Sequence, residues 1–165
     1  HSDKYIQCAQ LLSKPNKAKE ICLSLADKIK ENFKSIDLIV SPAMGGVVIG
    51  YEIGRILNIE TIFVERVNNN FQIRRGFEIN RNHKILVVED VITTGKSSLE
   101  CSSLAEKCGA EIVGYASLID RTGGKSEIKR KIVSQVKLDI STFTADNIPE
   151  NLKKLKAVKP GSRNL

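Results

Sequence analysis

A chain of 165 residues, 41% of them apolar, is long enough to bury a core of ordinary size and too apolar to stay disordered. Its net charge of +7, from 26 Lys and Arg against 19 Asp and Glu, suits nucleic acid or small anionic ligands, but 5% aromatics and no Trp argue against a stacking platform for single strands. No apolar run approaches the roughly 20 residues of a membrane helix and no secretory pattern opens the chain, so a cytoplasmic protein without a membrane partner is expected.

The elements follow in chain order. His1 to Gln10 has no strong period; Tyr5, Ile6 and Cys8 fit a strand end or a closing loop. From Pro15 to Phe33, Ala18, Ile21, Cys22, Leu25, Ala26 and Ile29 recur at spacings of three and four, which predicts a surface helix packed on a core. Leu38 to Pro42 is a strand that runs into Ala43, Met44, Gly45 and Gly46. A helix follows, carrying Val47, Val48, Tyr51, Ile56 and Leu57, with Gly50 and Gly54 allowing close packing. A strand feeding a glycine turn and a helix exposes backbone N–H groups that favour an anion; a plain tight turn explains the glycines equally well.

Thr61 to Glu65 is a second strand, and Val67 to Asn70 a polar turn. With Phe71, Ile73 and Phe77 beyond it, this predicts a β-hairpin with a mobile tip, ringed by Arg66, Arg74 and Arg75. Arginine suits bidentate phosphate contacts, although its commoner use on an exposed strand is solubility. Asn80 to His83 is a second turn, with His83 on its solvated edge.

Lys84 to Ser97 holds the densest chemistry. Ile85 to Val88 is a β-branched run fit for a strand buried on both faces. Glu89 and Asp90 stand where that strand should end. Thr93, Thr94, Gly95, Lys96 and Ser97 then form a loop of hydroxyls around a glycine that leads into a helix. Carboxylates there suit sugar hydroxyls, or a hydrated divalent cation; loop N–H groups and hydroxyls suit a phosphate. A solvated strand end accounts for the acids but not for the adjoining Thr-Thr-Gly. The segment matches neither the GxxxxGK[ST] loop nor the dinucleotide GxGxxG.

Ser98 to Cys108 reads as helix, with Leu99, Leu104, Ala105 and Cys108 inward and Gly109 as its stop. Glu111 to Ile119 is a strand that finishes in Asp120, Arg121 and the glycine loop to Gly124. Ser126 to Lys131 reads as a short helix or irregular segment, Val136 to Ile140 as a strand, and Ser141 to Asn147 as a short helix or turn. The basic runs Lys125–Lys137 and Lys153–Lys159 read as solvated helix faces or tails, and the closing KPGSRNL as loosely ordered. Cys8, Cys22, Cys101 and Cys108 lack CxxC spacing and a nearby His, so they read as reduced, mostly buried thiols rather than zinc ligands. Strands alternating with helices predict an α/β fold, a mainly parallel doubly wound sheet with helices on both faces. Ligands bind such sheets at the C-terminal strand ends. Ala43–Gly46, Glu89–Ser97 and Asp120–Gly124 all fall there.

VVEDVITTGKS resembles the phosphoribosyl-pyrophosphate motif of the type I phosphoribosyltransferases. HSDKYIQ, SPAMGGVVIGYEIGR, RRGFEI, Asp120–Arg121 and the closing KPGSR, in that order, narrow the resemblance to the orotate phosphoribosyltransferase family. It spans almost the whole chain and implies one phosphoribosyltransferase domain over residues 1–165, lacking the family's first helix and strand. It implies that Glu89 and Asp90 contact the ribose hydroxyls, and that Val91, Ile92 and Thr93 to Ser97 surround the 5-phosphate. Ala43 to Gly46 would form the pyrophosphate-side loop, and Thr93 and Arg121 would hold orotate. It further implies magnesium carried by phosphoribosyl pyrophosphate rather than by a protein cage, and a homodimer that exchanges a flexible loop between active sites. Arg66 and Arg74 are the catalytic candidates on that loop, which is shorter here and lacks the family's Lys and His. The implied reaction joins N1 of orotate to C1 of the ribose and releases pyrophosphate, a step of UMP biosynthesis. A purine-type phosphoribosyltransferase and a nucleic-acid-binding sensor of phosphoribosyl pyrophosphate are the alternatives.

Overall fold

In the computed structural model, residues 2, 4–141, 143, 145–156 and 158 are described. The readings placed on His1, Asp3 and the closing Lys159–Leu165 lie outside them. The order is α1 (Cys8–Leu12), α2 (Pro15–Asn32), β1 (Leu38–Pro42), α3 (Gly45–Leu57), β2 (Glu60–Val67), β3 (Asn70–Gln72), β4 (Lys84–Ile92), α4 (Lys96–Lys107), β5 (Glu111–Asp120), β6 (Ile132–Lys137), a 3-10 turn (Ala145–Asn147) and α5 (Glu150–Lys153). No helix among the described residues is long and apolar enough to cross a membrane.

The expected sheet is present. Its order is β3-β2-β1-β4-β5-β6, parallel throughout except for the antiparallel β2–β3 hairpin. From β1 the chain winds towards β2, and from β4 towards β5. These directions are opposite, so the two crossover helices pack on opposite faces. Alternate residues of β4 show it. Leu86 and Val88 pack with α1, α2 and α3, through Cys8, Leu25, Ile29, Ile49 and Ile53. Ile85 and Val87 pack with α4, through Cys101 and Ala105, and with Phe71 and Ile128. The strand is apolar on both sides because both sides are covered.

Four expectations are corrected. α1 was not foreseen: its single turn is too short to set a period, and burial of Cys8 and Leu12 holds it. β4 does not end before the acids but continues through Glu89 and Asp90 to Ile92, because β5 is long enough to pair with it as far as Asp120. The last strand begins at Ile132 rather than Val136, since Ile132 and Val133 pair with Tyr115 and Ala116; the basic run there is therefore loop and strand, not helix. Cys108 is exposed; α4 buries Ser98, Cys101, Ser102 and Ala105 instead. All four thiols are free, and the other three are buried. Gly109 does stop α4, with φ +85 and the Ala110 N–H donating back to Ala105 O.

α3 lies close on the sheet through Gly46, Gly50 and Gly54, one turn apart. A Cβ built on Gly54 would sit 1.9 Å from Thr61 Oγ1 and 2.8 Å from the Ile59 carbonyl oxygen. Gly54→Ala is expected to lower stability by about 1–3 kcal/mol through overpacking, despite the ~1 kcal/mol that Ala gains over Gly in a helix. The urea midpoint measures it; an unchanged or raised midpoint would show that the helix can lift off without cost.

Candidate active site

The C-terminal ends of β1, β4 and β5 bring the expected segments to one edge of the sheet. The crevice between β1 and β4 is where the winding direction reverses, the usual place for a ligand in such folds.

Because β4 stays extended, its two acids point to opposite faces. Asp90 turns towards α3. A Cβ on Gly45 would fall 2.7 Å from Asp90 Oδ1, so the Ala43–Gly46 loop and the end of β4 touch across the crevice. Oδ1 accepts the Val91 N–H at 2.9 Å. Burial raises the Asp90 carboxyl above the usual carboxylate range, and the Val91 N–H opposes that shift without cancelling it. Behind it, Cys8 Sγ lies 4.0 Å from the Asp90 carbonyl oxygen. Burial, and then the Asp90 charge, push that thiol up to about 12, so it is an uncharged packing group.

Glu89 turns the other way, towards α4, and accepts a hydrogen bond from Ser98 Oγ. Ser117, its register partner on β5, is fully buried and its hydroxyl has no hydrogen-bond partner.

The loops are built to present backbone. Ala43 N–H donates to Val64 O at 2.8 Å, and the Ala43–Met44 peptide is cis. Gly45 and Gly46 are already the first residues of α3. On the other side, Thr93 and Thr94 are exposed. Gly95 precedes α4 with φ +83, where a side chain would be strained and would also meet Ile128 at 2.8 Å. Lys96 and Ser97 lie in the first turn of α4 rather than in the loop. Two helix N-termini thus face the crevice from opposite faces of the sheet, and each favours an anion.

Arg121 N–H donates to Ile92 O at 2.8 Å, so Arg121 and Thr93 leave neighbouring strands side by side. The guanidinium makes a long 3.5 Å contact to Ser2 Oγ. Its Nε is buried without a partner, and among the described residues it forms no ion pair. An unneutralised guanidinium on a strand end suits an anionic ligand.

Arg66 does not sit where a mobile tip would carry it. It lies on β2, ion-paired with Glu100 of α4, donating to Asn69 O at 2.7 Å, with its guanidinium 4.0 Å from the Phe71 ring centroid. The hairpin turn itself is only Asn68 and Asn69, both at positive φ (49 and 65), which makes it a tight primed turn. Arg74 is exposed beyond β3, whereas Arg75 is taken by a bidentate pair with Glu65. Neither Ser98 nor Glu100 was foreseen in this region. The signal for Ser98 was present: a hydroxyl on the inward face of a helix, three residues before buried Cys101. Among the described residues, no cluster of three or more His, Cys, Asp or Glu could hold a metal ion.

Residues 8–151 match the model of the phosphoribosyl transferase domain, and the chain belongs to that family. Within it, the chain is 43% identical over 164 residues to an orotate phosphoribosyltransferase of Novosphingobium aromaticivorans, covering 99% of this chain and 84% of that one. The sequence thus falls among the orotate phosphoribosyltransferases, as its motifs suggested. Solved structures show the same fold. Adenine phosphoribosyltransferase from Thermoanaerobacter pseudethanolicus superimposes with a TM-score of 0.69 at 17% identity, covering 82% of this chain and 88% of that one. Orotate phosphoribosyltransferase from Mycobacterium tuberculosis, in complex with inorganic phosphate, does so with a TM-score of 0.68 at 21% identity, covering 81% and 78%.

Proposed function

We infer that this chain transfers the phosphoribosyl group of 5-phosphoribosyl 1-pyrophosphate to N1 of orotate, giving orotidine 5'-monophosphate and pyrophosphate in UMP biosynthesis. The observation that carries the choice of orotate is the Arg121 guanidinium beside Thr93, its Nε buried without a partner and no carboxylate paired with it among the described residues, next to a phosphate-type loop. A planar fork there matches a carboxylated, planar base.

The C1–O bond to pyrophosphate breaks and its electron pair leaves with the pyrophosphate, while N1 of the orotate anion supplies the pair for the new C1–N1 bond. No side-chain nucleophile is needed. Thr93 to Ser97, together with the N–H groups opening α4, hold the 5-phosphate. Val91 and Ile92 carry the chain to that loop. Glu89 and Asp90 set the ribose, with Asp90 facing the positive charge that develops on the sugar. Ala43 to Gly46 receive the pyrophosphate side on backbone N–H groups. Catalysis is positioning plus electrostatic neutralisation. A magnesium ion carried by the substrate would supply charge neutralisation of the pyrophosphate, with Asp90 and the Ala43–Gly46 loop beside it. Asp90 is a carboxylate that lies against the pyrophosphate-side loop.

Residues 1–165 act as one phosphoribosyltransferase domain in the cytoplasm, and the working unit is a homodimer. Met44, Val48 and Tyr51 support that assembly: they form one stripe from the N-cap of α3 along the helix, exposed by 76%, 52% and 65%, an apolar surface that a second copy would cover. In that dimer exposed Arg74 is the charge free to reach a facing site, while Arg66 acts from where Glu100 holds it.

Mixing the protein with phosphoribosyl pyrophosphate, magnesium and orotate should remove the orotate absorbance. Turnover of a purine base with none of orotate would overturn the reading in favour of the purine-type enzyme. RNA binding without any turnover would favour the regulator.

A further inference from the structure

We propose that Ser98 is a positioning residue that couples the ribose-side carboxylate of Glu89 to the phosphate loop, so that the two hold phosphoribosyl pyrophosphate as one unit. This rests on reading Thr93–Ser97 as the 5-phosphate loop and Glu89 as a ribose contact.

The two acids of β4 are not equivalent. The ladder to β5 keeps the strand extended through Glu89↔Ser117 and Val91↔Ile119, so Glu89 shares the α4 face with Ile85 and Val87, while Asp90 shares the α3 face. Asp90 is packed against Gly45 and bonded to the adjacent Val91 N–H. Glu89 has a longer side chain with more rotamers, and it has to be fixed by its surroundings.

α4 provides a fixing group. Ser98 is the third residue of the helix and is fully buried, among Cys101, Ser102 and Ala105. A serine in a helix often bonds back to its own backbone. Ser102, one turn on, does so, donating to Leu99 O at 2.9 Å and accepting from the Tyr115 hydroxyl at 2.9 Å. Ser98 instead donates across to Glu89 Oε2. The neighbouring strand does not fill the same role, because the Ser117 hydroxyl opposite Glu89 makes no hydrogen bond. A hydroxyl donating to a carboxylate is a charge-assisted bond, about twice as strong as a neutral one.

The helix carrying Ser98 is the direct continuation of Thr93–Gly95, and its first two residues, Lys96 and Ser97, belong to the phosphate motif. A shift of the loop therefore moves Ser98, and through it the Glu89 carboxylate. The coupling should act on phosphoribosyl pyrophosphate, which touches both ends, and not on orotate, which lies towards Arg121.

Ser98→Ala removes the hydroxyl without adding bulk and improves helix propensity, so the protein should fold with its melting temperature nearly unchanged. Binding of phosphoribosyl pyrophosphate with magnesium, by calorimetry, should weaken roughly tenfold, and its KM should rise to match. The KM for orotate and kcat should stay within about twofold of the native values, a split that general loosening of the core would not produce. The same change made in a Glu89→Gln background should have a smaller further effect, because Ser98 acts on the substrate only through the Glu89 carboxylate. Native-like binding by Ser98→Ala in a protein that turns over orotate would overturn the proposal alone. Additive effects of the two substitutions would do the same. A native chain that fails to bind phosphoribosyl pyrophosphate would instead remove the reading on which the proposal stands.

Discussion

Asp90→Asn is expected to be more stable than the native protein at neutral pH and to lose about 10²–10³-fold in kcat, the scale of removing one preorganised electrostatic group. The two effects share one cause. Burial raises the Asp90 carboxyl above its ordinary value of 3.8. Between that value and the raised one, the folded chain holds a proton that the unfolded chain has released. Stability from this group therefore falls as pH rises through the window, and the ionised carboxylate costs stability at pH 7. On the proposed reading the charge is kept at that cost because it would face the sugar cation, a common exchange of stability for function. Asparagine keeps the shape and removes the charge. The relief should appear as a higher melting temperature, each 1 kcal/mol being worth roughly 2–4 °C for a chain of this size.

Other carboxyls pull the opposite way. Glu52 and Glu65 are held below the usual range by hydrogen bonds from Arg55 and Arg75, so their stability is lost as pH falls. The informative curve is thus the difference in melting temperature between Asp90→Asn and native protein across pH. It should be near zero in acid and grow as pH rises. A variant that melts below the native protein at pH 7, or that keeps near-native turnover, would remove the assigned role.

What could be read in the sequence was set by local pattern. β1 and α2 matched within a residue, because their apolar runs and spacings state their own limits. The meeting of the three strand ends was legible too, since a doubly wound sheet puts every βα loop on one edge whatever the loops contain. The end of β4 was not legible. Glu-Asp after an apolar run looks like a stop, but the length of a strand is decided by its neighbour, and β5 pairs with it to Asp120. With four more residues of strand, Glu89 to Ile92, the two acids lie on opposite faces. Arg66 was misplaced for a similar reason. Its place beside the polar turn suggested a mobile tip, whereas its cross-strand neighbour Phe71 and, 34 residues on, Glu100 hold it on β2. A long-range partner such as Glu100 leaves no mark on the residues between.

Arg121→Ala should raise the KM for orotate by about 10- to 150-fold, the equivalent of the 1.5–3 kcal/mol of a charged hydrogen bond. The KM for phosphoribosyl pyrophosphate should change by no more than about twofold. The asymmetry follows from where Arg121 stands. Its backbone bond to Ile92 O keeps the chain in place whatever the side chain, so truncation leaves the neighbouring loop intact. Its Nε is buried without a partner and no carboxylate neutralises it among the described residues, so on the proposed reading its partner would be the ligand. Stability should barely fall, since removing a buried unpaired donor offsets the lost packing. Arg121→Lys sharpens the test: a point charge in place of a fork keeps attraction to an anion but not two-point alignment, so its orotate KM should lie between native and Ala. Steady-state kinetics with each substrate varied in turn gives both numbers. Equal rises for orotate and phosphoribosyl pyrophosphate would mean that Arg121 shapes the strand end as a whole, and that orotate is held elsewhere.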